Sequence, residues 1–118
     1  MALHNTRGKD GEMLASEYLK KRGFEVKICN WRSGKFEIDI IAIKDGKLHF
    51  IEVKTRHTLT YGYPEESVTR QKFNNMKNAA ACFLSKYPGF RNIQFDILSV
   101  LRLSNQPVQY FLLEDVYM

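Results

Sequence analysis

The sequence predicts an α/β domain, a central mixed β-sheet flanked by helices in the order α-β-β-β-α-β-β. Three observations carry that expectation. Two segments, around residues 9–22 and 70–86, place apolar side chains at helical spacing. The remaining apolar segments are short runs rich in Val, Ile and Phe that alternate with polar residues. Finally, Asp45-Gly46 joins two of those runs, and Asp-Gly between β-rich segments is the strongest short hairpin cue.

The first helix is expected from Lys9 to Arg22, with Leu14, Ala15, Tyr18 and Leu19 as its apolar stripe. Lys20, Lys21 and Arg22 suit the negative end of the helix dipole, and Gly23 is a good stop. Phe24 to Trp31 reads as a strand, Phe24, Val26 and Ile28 alternating with Glu25 and Lys27. After a Ser33-Gly34 turn, the second strand covers Lys35 to Ile43, with Glu37, Asp39 and Ile41 on one face and Ile38, Ile40 and Ala42 on the other. The third covers Lys47 to Arg56, followed by a polar, glycine-containing loop from His57 to Glu66. Thr69 is a natural N-cap for a second helix from Arg70 to Lys86, whose stripe is Phe73, Met76, Ala80, Phe83 and Leu84. Ile93 to Leu101 makes a fourth strand and Val108 to Leu113 a fifth, at an edge.

A chain of 118 residues builds one modest core, so a single domain spans 1–118. A hydrophobic content of 44% excludes disorder. No stretch is long enough to span a membrane, and the N-terminus lacks the apolar run of a signal peptide, so a cytoplasmic protein is expected. Cys29 and Cys82 belong to no Cys-x-x-Cys pair and read as two reduced, buried thiols. The net charge of +5 favours a polyanionic partner.

The most informative segment is Leu48-His49-Phe50-Ile51-Glu52-Val53-Lys54. Side chains two apart share a strand face, so Glu52 and Lys54 emerge in line with Leu48 and Phe50. A carboxylate and an ammonium on such a face need pairing, water or a metal. The hairpin brings Asp39 onto the neighbouring strand, and Glu12 borders the buried stripe of the first helix. Three carboxylates of this kind can supply the oxygen ligands of Mg²⁺, which keeps several waters and takes one or two protein carboxylates beside substrate phosphate oxygens. With Lys54 as a compact point charge, these are the parts that phosphodiester hydrolysis requires.

At these residues the chain resembles the YraN-like family of small bacterial proteins, within the PD-(D/E)xK (restriction-endonuclease-like) nuclease superfamily and similar in fold to archaeal Holliday junction resolvases. The likeness rests on Gly8-Lys9-Asp10-Gly11-Glu12, Asn30-Trp31-Arg32, Glu37-Ile38-Asp39, Phe50 to Arg56, Gly62 to Thr69 and Gln94-Phe95-Asp96-Ile97. It implies that Asp39 and Glu52 are metal ligands, that Glu12 is a further acidic ligand and that Lys54 is the catalytic lysine, with Mg²⁺ or Mn²⁺ as cofactor and DNA as partner. Ile38 replaces the superfamily's proline, Phe36 a usual glycine and Arg70 a frequent proline.

Phosphate contacts are expected from Arg7, Lys9, Arg32, Lys35, Arg56, Arg70, Gln71 and Lys72 at the site-bearing ends of their elements. Tyr61 and Tyr63 are the candidate stacking residues, whereas Tyr18, Trp31 and His49 read as packed side chains and Glu37 as a neighbour of the site or a solvated residue. A homodimer would suit cleavage of symmetric junctions, although no interface motif demands one. The alternatives are a non-catalytic nucleic-acid-binding module that retains the nuclease fold, and a protein-interaction subunit. An intact Glu12, Asp39, Glu52 and Lys54 set favours the enzyme.

Overall fold

The computed structural model describes residues 7–58 and 70–116, with side chains from residue 11 onward. The elements are α1 (Arg7–Lys21), β1 (Glu25–Ser33), β2 (Phe36–Lys44), β3 (Lys47–Arg56), α2 (Arg70–Lys86), β4 (Ile93–Leu101) and β5 (Gln109–Leu113). Their order is the expected one. The strands form one sheet in sequential order β1-β2-β3-β4-β5. All pairings are antiparallel except β3 with β4. A parallel pair cannot be closed by a tight turn, and α2 lies in the connection between these two strands.

Local chemistry sets the element ends. Gly23, at φ 92°, follows α1, its N–H bonded to the Lys20 carbonyl while Phe24 N–H reaches Leu19. This is the paired closure of a helix that ends on a left-handed glycine. Asp45 and Gly46 both have positive φ, 51° and 77°, between the paired residues Lys44 and Lys47. That is the two-residue turn whose twist matches its strands.

Each helix covers one side of the sheet. Ala15 and Leu19 of α1 are buried with Phe24, Ile40, Ala42, Ile51, Leu98 and Val100. On the other side Met76, Ala79, Ala80 and Phe83 of α2 pack on Ile38, Ile41, Leu48 and Phe50. Gly11 lets α1 approach β3 closely: a Cβ there would lie 2.5 Å from Thr55 Oγ1. A tie also links β3 to β4. His49 Nδ1 lies 2.6 Å from Asp96 Oδ2, both side chains buried, and Phe24 meets the His49 ring edge-on.

Three expectations are corrected. The simple alternation of β2 fails at Asp39: Ile38 packs with Ile41 on the α2 side, while Ile40 packs on the α1 side. The ladder with β1 steps from Cys29↔Ile40 to Trp31↔Ile38, and Asn30 between them turns left-handed at φ 58°. Strand β1 breaks its alternation as well. Val26 packs toward α1 and Ile28 toward α2, across a register shift between them. Lastly, Cys29 is exposed and Cys82 half-buried, both as free thiols; β1 lies at the sheet edge, so Cys29 has a neighbouring strand on one side only.

Candidate functional site

The hydrogen-bonded ladder of the β2–β3 hairpin ends at Ile40↔Ile51, so Asp39 and Glu52 stand one step beyond its last pair. There the Asp39 side chain takes over from the backbone, its Oδ2 accepting the Val53 N–H at 2.8 Å. The departure from alternation thus aims the Asp39 carboxylate at the diverging strand and fixes it. Glu52 follows the buried Phe50 along the same face of β3, and Lys54 Nζ lies 3.6 Å from Glu52 Oε1. The other oxygen, Glu52 Oε2, is buried and has no hydrogen-bond partner among the described residues. Asp39, Glu52, Lys54, Glu37 and Met76 line a cleft of about 240 Å³.

Negative charge is concentrated here. The Asp39 pKa is raised from its ordinary value, first by burial and then by the charges of Glu52, Glu37 and Glu12, against the lowering effect of the Val53 N–H. Glu12, in α1, is held by Asn30, whose Nδ2 donates to Glu12 Oε2 at 2.8 Å. Among the described residues, no three His, Cys, Asp or Glu side chains gather closely enough to hold a metal ion. Asp39 and Glu52 therefore form a two-carboxylate arrangement, with Glu12 engaged by Asn30. A hard divalent cation fits such a pair, since Mg²⁺ commonly takes one or two carboxylates and keeps waters. The partnerless Glu52 Oε2 is the acceptor that such a cation would satisfy.

Basic residues surround this acidic centre unequally. Lys72, in the first turn of α2, is half-buried beside Lys54. Its pKa is lowered, first by its side-chain contact with Lys54, then by burial and by the charges of Lys54 and Arg56, while Glu52 pulls it upward. Arg56 is half-buried, with its Nε buried and partnerless among the described residues. Lys35 is exposed, 5.7 Å over the Phe36 ring. Arg70 and Gln71 are exposed at the start of α2. Arg32 is instead engaged by Glu37, 3.2 Å away across the β1–β2 pair. Arg7 and Lys9 lie in the first turns of α1, and their side chains fall outside the described residues, as do Tyr61, Tyr63 and Thr69.

The packed readings of three side chains hold. Trp31 meets Phe83 edge-on, Tyr18 stacks on Tyr110, and His49 is buried. Exposed His57 lines a separate cavity with Arg102 and Gln106. Sequence reasoning overlooked Asn30 as the residue that positions Glu12. The available signal was an asparagine inside a β-rich run, where it is disfavoured unless it does something specific.

A sequence model of the uncharacterised protein family UPF0102 matches residues 11–100. The chain belongs to the UPF0102 family. This is the YraN-like family that the motifs suggested. The matched span contains Glu12, Asn30, Asp39, Glu52, Lys54 and Lys72, and it stops short of β5. Among UPF0102 relatives, a protein of Bacteroides fragilis is 39% identical over 101 residues, covering 86% of this chain and 84% of its own. One from Chloroherpeton thalassium is 39% identical over 118 residues, covering 93% and 92%. Another, from Dictyoglomus thermophilum, is 44% identical over 95 residues, covering 80% of each chain. Among the described residues no helix is long and apolar enough to cross a membrane.

Proposed function

We propose that this protein is a metal-dependent endonuclease of the PD-(D/E)xK, restriction-endonuclease-like type, which hydrolyses DNA phosphodiester bonds in the cytoplasm. One observation carries the reading: Asp39 and Glu52 stand side by side past the end of the β2–β3 ladder, with a buried, partnerless oxygen on Glu52 and Lys54 3.6 Å from its mate. A structural ion pair would fill its acceptors. The observed order α-β-β-β-α-β-β, one mixed sheet with a helix on each side, supports the reading, since the YraN-like resemblance implies a fold similar to that of archaeal Holliday junction resolvases.

Asp39 and Glu52 are the residues that would hold Mg²⁺ or Mn²⁺. When bound, such a cation polarises the phosphate and makes a water more acidic. The protein's own groups do the rest. The Val53 N–H fixes the direction of the Asp39 carboxylate. Lys54 presents a compact positive charge where negative charge accumulates on the phosphate oxygens during displacement. Glu12, anchored by Asn30, adds to the negative potential that attracts a cation. Lys35, Arg56, Arg70, Gln71 and Lys72 supply sequence-independent contacts to the DNA backbone.

The test is incubation of the purified protein with linear, flapped and four-way DNA, with Mg²⁺ or Mn²⁺ against EDTA. Cleavage that requires the divalent ion and disappears in Asp39→Ala supports the reading. Salt-dependent binding without cleavage on any of the three would replace it with the non-catalytic binding module.

A further inference from the structure

A cavity of about 360 Å³ lies apart from the carboxylate cleft, lined by His57, Arg102, Leu103, Ser104, Gln106 and Val108. Its polar groups are an imidazole, a guanidinium, a hydroxyl and an amide, with no carboxylate among these described residues. All of them but His57 lie past residue 100, beyond the span that the family model matches. The sheet explains why two basic side chains meet there. Strands β3 and β4 run parallel, and their ladder reaches Arg56↔Leu101 before the Arg102 N–H donates to the Arg56 carbonyl. His57 and Arg102 thus stand at the carboxyl ends of the two strands, where open α/β sheets receive ligands. Val53 and Val100 pack on the α1 side, and alternate residues share a face, so His57 and Arg102 fall on that side too. Arg102 is half-buried, and Glu17 of α1 shares the surroundings of Tyr110 with it. No ion pair joins Arg102 to Glu17 or to another carboxylate among the described residues. A half-buried guanidinium beside an imidazole, with no acidic group lining their cavity, suits an anion from outside.

We propose that this cavity is a subsite for a nucleic-acid phosphate, gripped by Arg102 and His57, on the sheet face opposite the carboxylate cleft. The inference rests on the DNA-binding part of the proposed function and gives it a second point of contact. Arg56 precedes His57 along β3, so a strand leaving the cleft past Arg56 reaches the cavity over the carboxyl ends of the parallel pair. The planar guanidinium can meet two phosphate oxygens at once, and His57 donates from a ring nitrogen. Ser104 and Gln106 add donors to the sugar and phosphate around it. Arg102 therefore adds affinity for strands that span both faces and takes no part in the chemistry.

The experiment is fluorescence anisotropy of a labelled DNA duplex with Ca²⁺ as divalent ion, over a series of salt concentrations. Arg102→Gln, Arg102→Lys and His57→Gln are compared with Arg91→Gln, which removes a like charge just before the other end of β4. Arg102→Gln should weaken binding roughly tenfold and lower the slope of log affinity against log salt by about one. His57→Gln should weaken it about threefold. Arg102→Lys should keep the slope and lose part of the affinity, and Arg91→Gln should stay within about twofold of the wild type. Cavity variants that bind like Arg91→Gln overturn the subsite, and a wild type that cleaves then leaves the nuclease reading standing. The expected losses in a protein that cleaves nothing support the subsite and replace the nuclease with the binding module. Calorimetry with inorganic phosphate tests the other source of this anion. Phosphate binding that Arg102→Gln abolishes, with DNA affinity unchanged, assigns the cavity to a free anion and overturns the strand contact. Should Arg102→Gln fail to fold, the exposed His57→Gln decides, wild-type affinity overturning the subsite.

Discussion

Two aspartates in this sheet are treated in opposite ways. Asp96, in β4, is fully buried, and its oxygens are engaged by His49 Nδ1 at 2.6 Å, Gln94 Nε2 at 2.9 Å and the Asp115 N–H at 2.9 Å. Asp39, two strands away in β2, receives the Val53 N–H and faces a cleft shared with Glu52, whose Oε2 is buried without a partner among the described residues. Asp96 is built into the structure. It ties the β3 histidine to β4 and fastens the segment after β5, where Asp115 adopts φ 54° and Val116 N–H bonds to the Phe95 carbonyl. The other carboxylate centre is left electrostatically dissatisfied. A carboxylate whose acceptors are all filled has nothing left for a ligand, whereas one held among other carboxylates gains from binding a cation.

The sharpest way to break this comparison is to remove each aspartate. Asp96→Ala should destabilise the fold by about 3–5 kcal/mol, because it strands several buried donors at once. Urea denaturation monitored by circular dichroism checks this, and a loss under about 1 kcal/mol would show that the tie is not structural. Next in size is an effect on the reaction alone. Lys54→Ala should lower single-turnover cleavage at saturating Mg²⁺ by roughly a hundred- to a thousandfold while metal and DNA affinity persist. Lys54→Arg should be nearly as slow, since its planar fork does not reproduce a compact charge. A wild-type rate from the alanine variant would take Lys54 out of the mechanism.

Glu12 depends on how closely α1 approaches β3. Gly11→Ala places a methyl 2.5 Å from Thr55 Oγ1 and should destabilise by about 1–3 kcal/mol through overpacking. Adding Thr55→Ala removes the hydroxyl, and a thermodynamic cycle over the two sites should recover at least about half of that loss. Strict additivity would mean that the contact does not seat α1.

The smallest expected effect has the opposite sign. The Asp39 pKa is raised by folding, chiefly through burial, so its ionised form disfavours the folded state. That penalty is absent below the unfolded aspartate value near ~3.9 and grows as pH rises through the raised folded value. Asparagine can still accept the Val53 N–H without the charge. In EDTA at neutral pH, Asp39→Asn should therefore be more stable than the wild type by about 0.5–1 kcal/mol, while losing divalent-cation affinity measured by calorimetry. Lower stability would mean that Asp39, like Asp96, is structural.

Legibility differed between these regions. The hairpin, both helical stripes and the alignment of Glu52 with Lys54 follow from spacing along one segment, and Asp39 lands beside Glu52 because an Asp-Gly turn fixes the register. Asp96 could not be read as a tie, because its partners come from β3, its own strand and the segment after β5. Strict alternation concealed the local geometry of Asp39, since a period of two carries no sign of a residue that slips across the sheet. Asn30 was similarly hidden, because a left-handed residue inside a strand is set by what α1 and β2 require of it.

By itself, then, the chain determined its elements, their order, the turns at Gly23 and Asp45-Gly46, and the neighbouring positions of Asp39 and Glu52. These depend on periodicity and backbone preference, which act over a few residues. Only the tertiary structure decided which carboxylate is satisfied and which is not, that Asn30 secures Glu12, and that α2 brings Lys72 against Lys54. Burial and the number of available partners are properties of surfaces meeting from distant parts of the chain, and no local spacing encodes them.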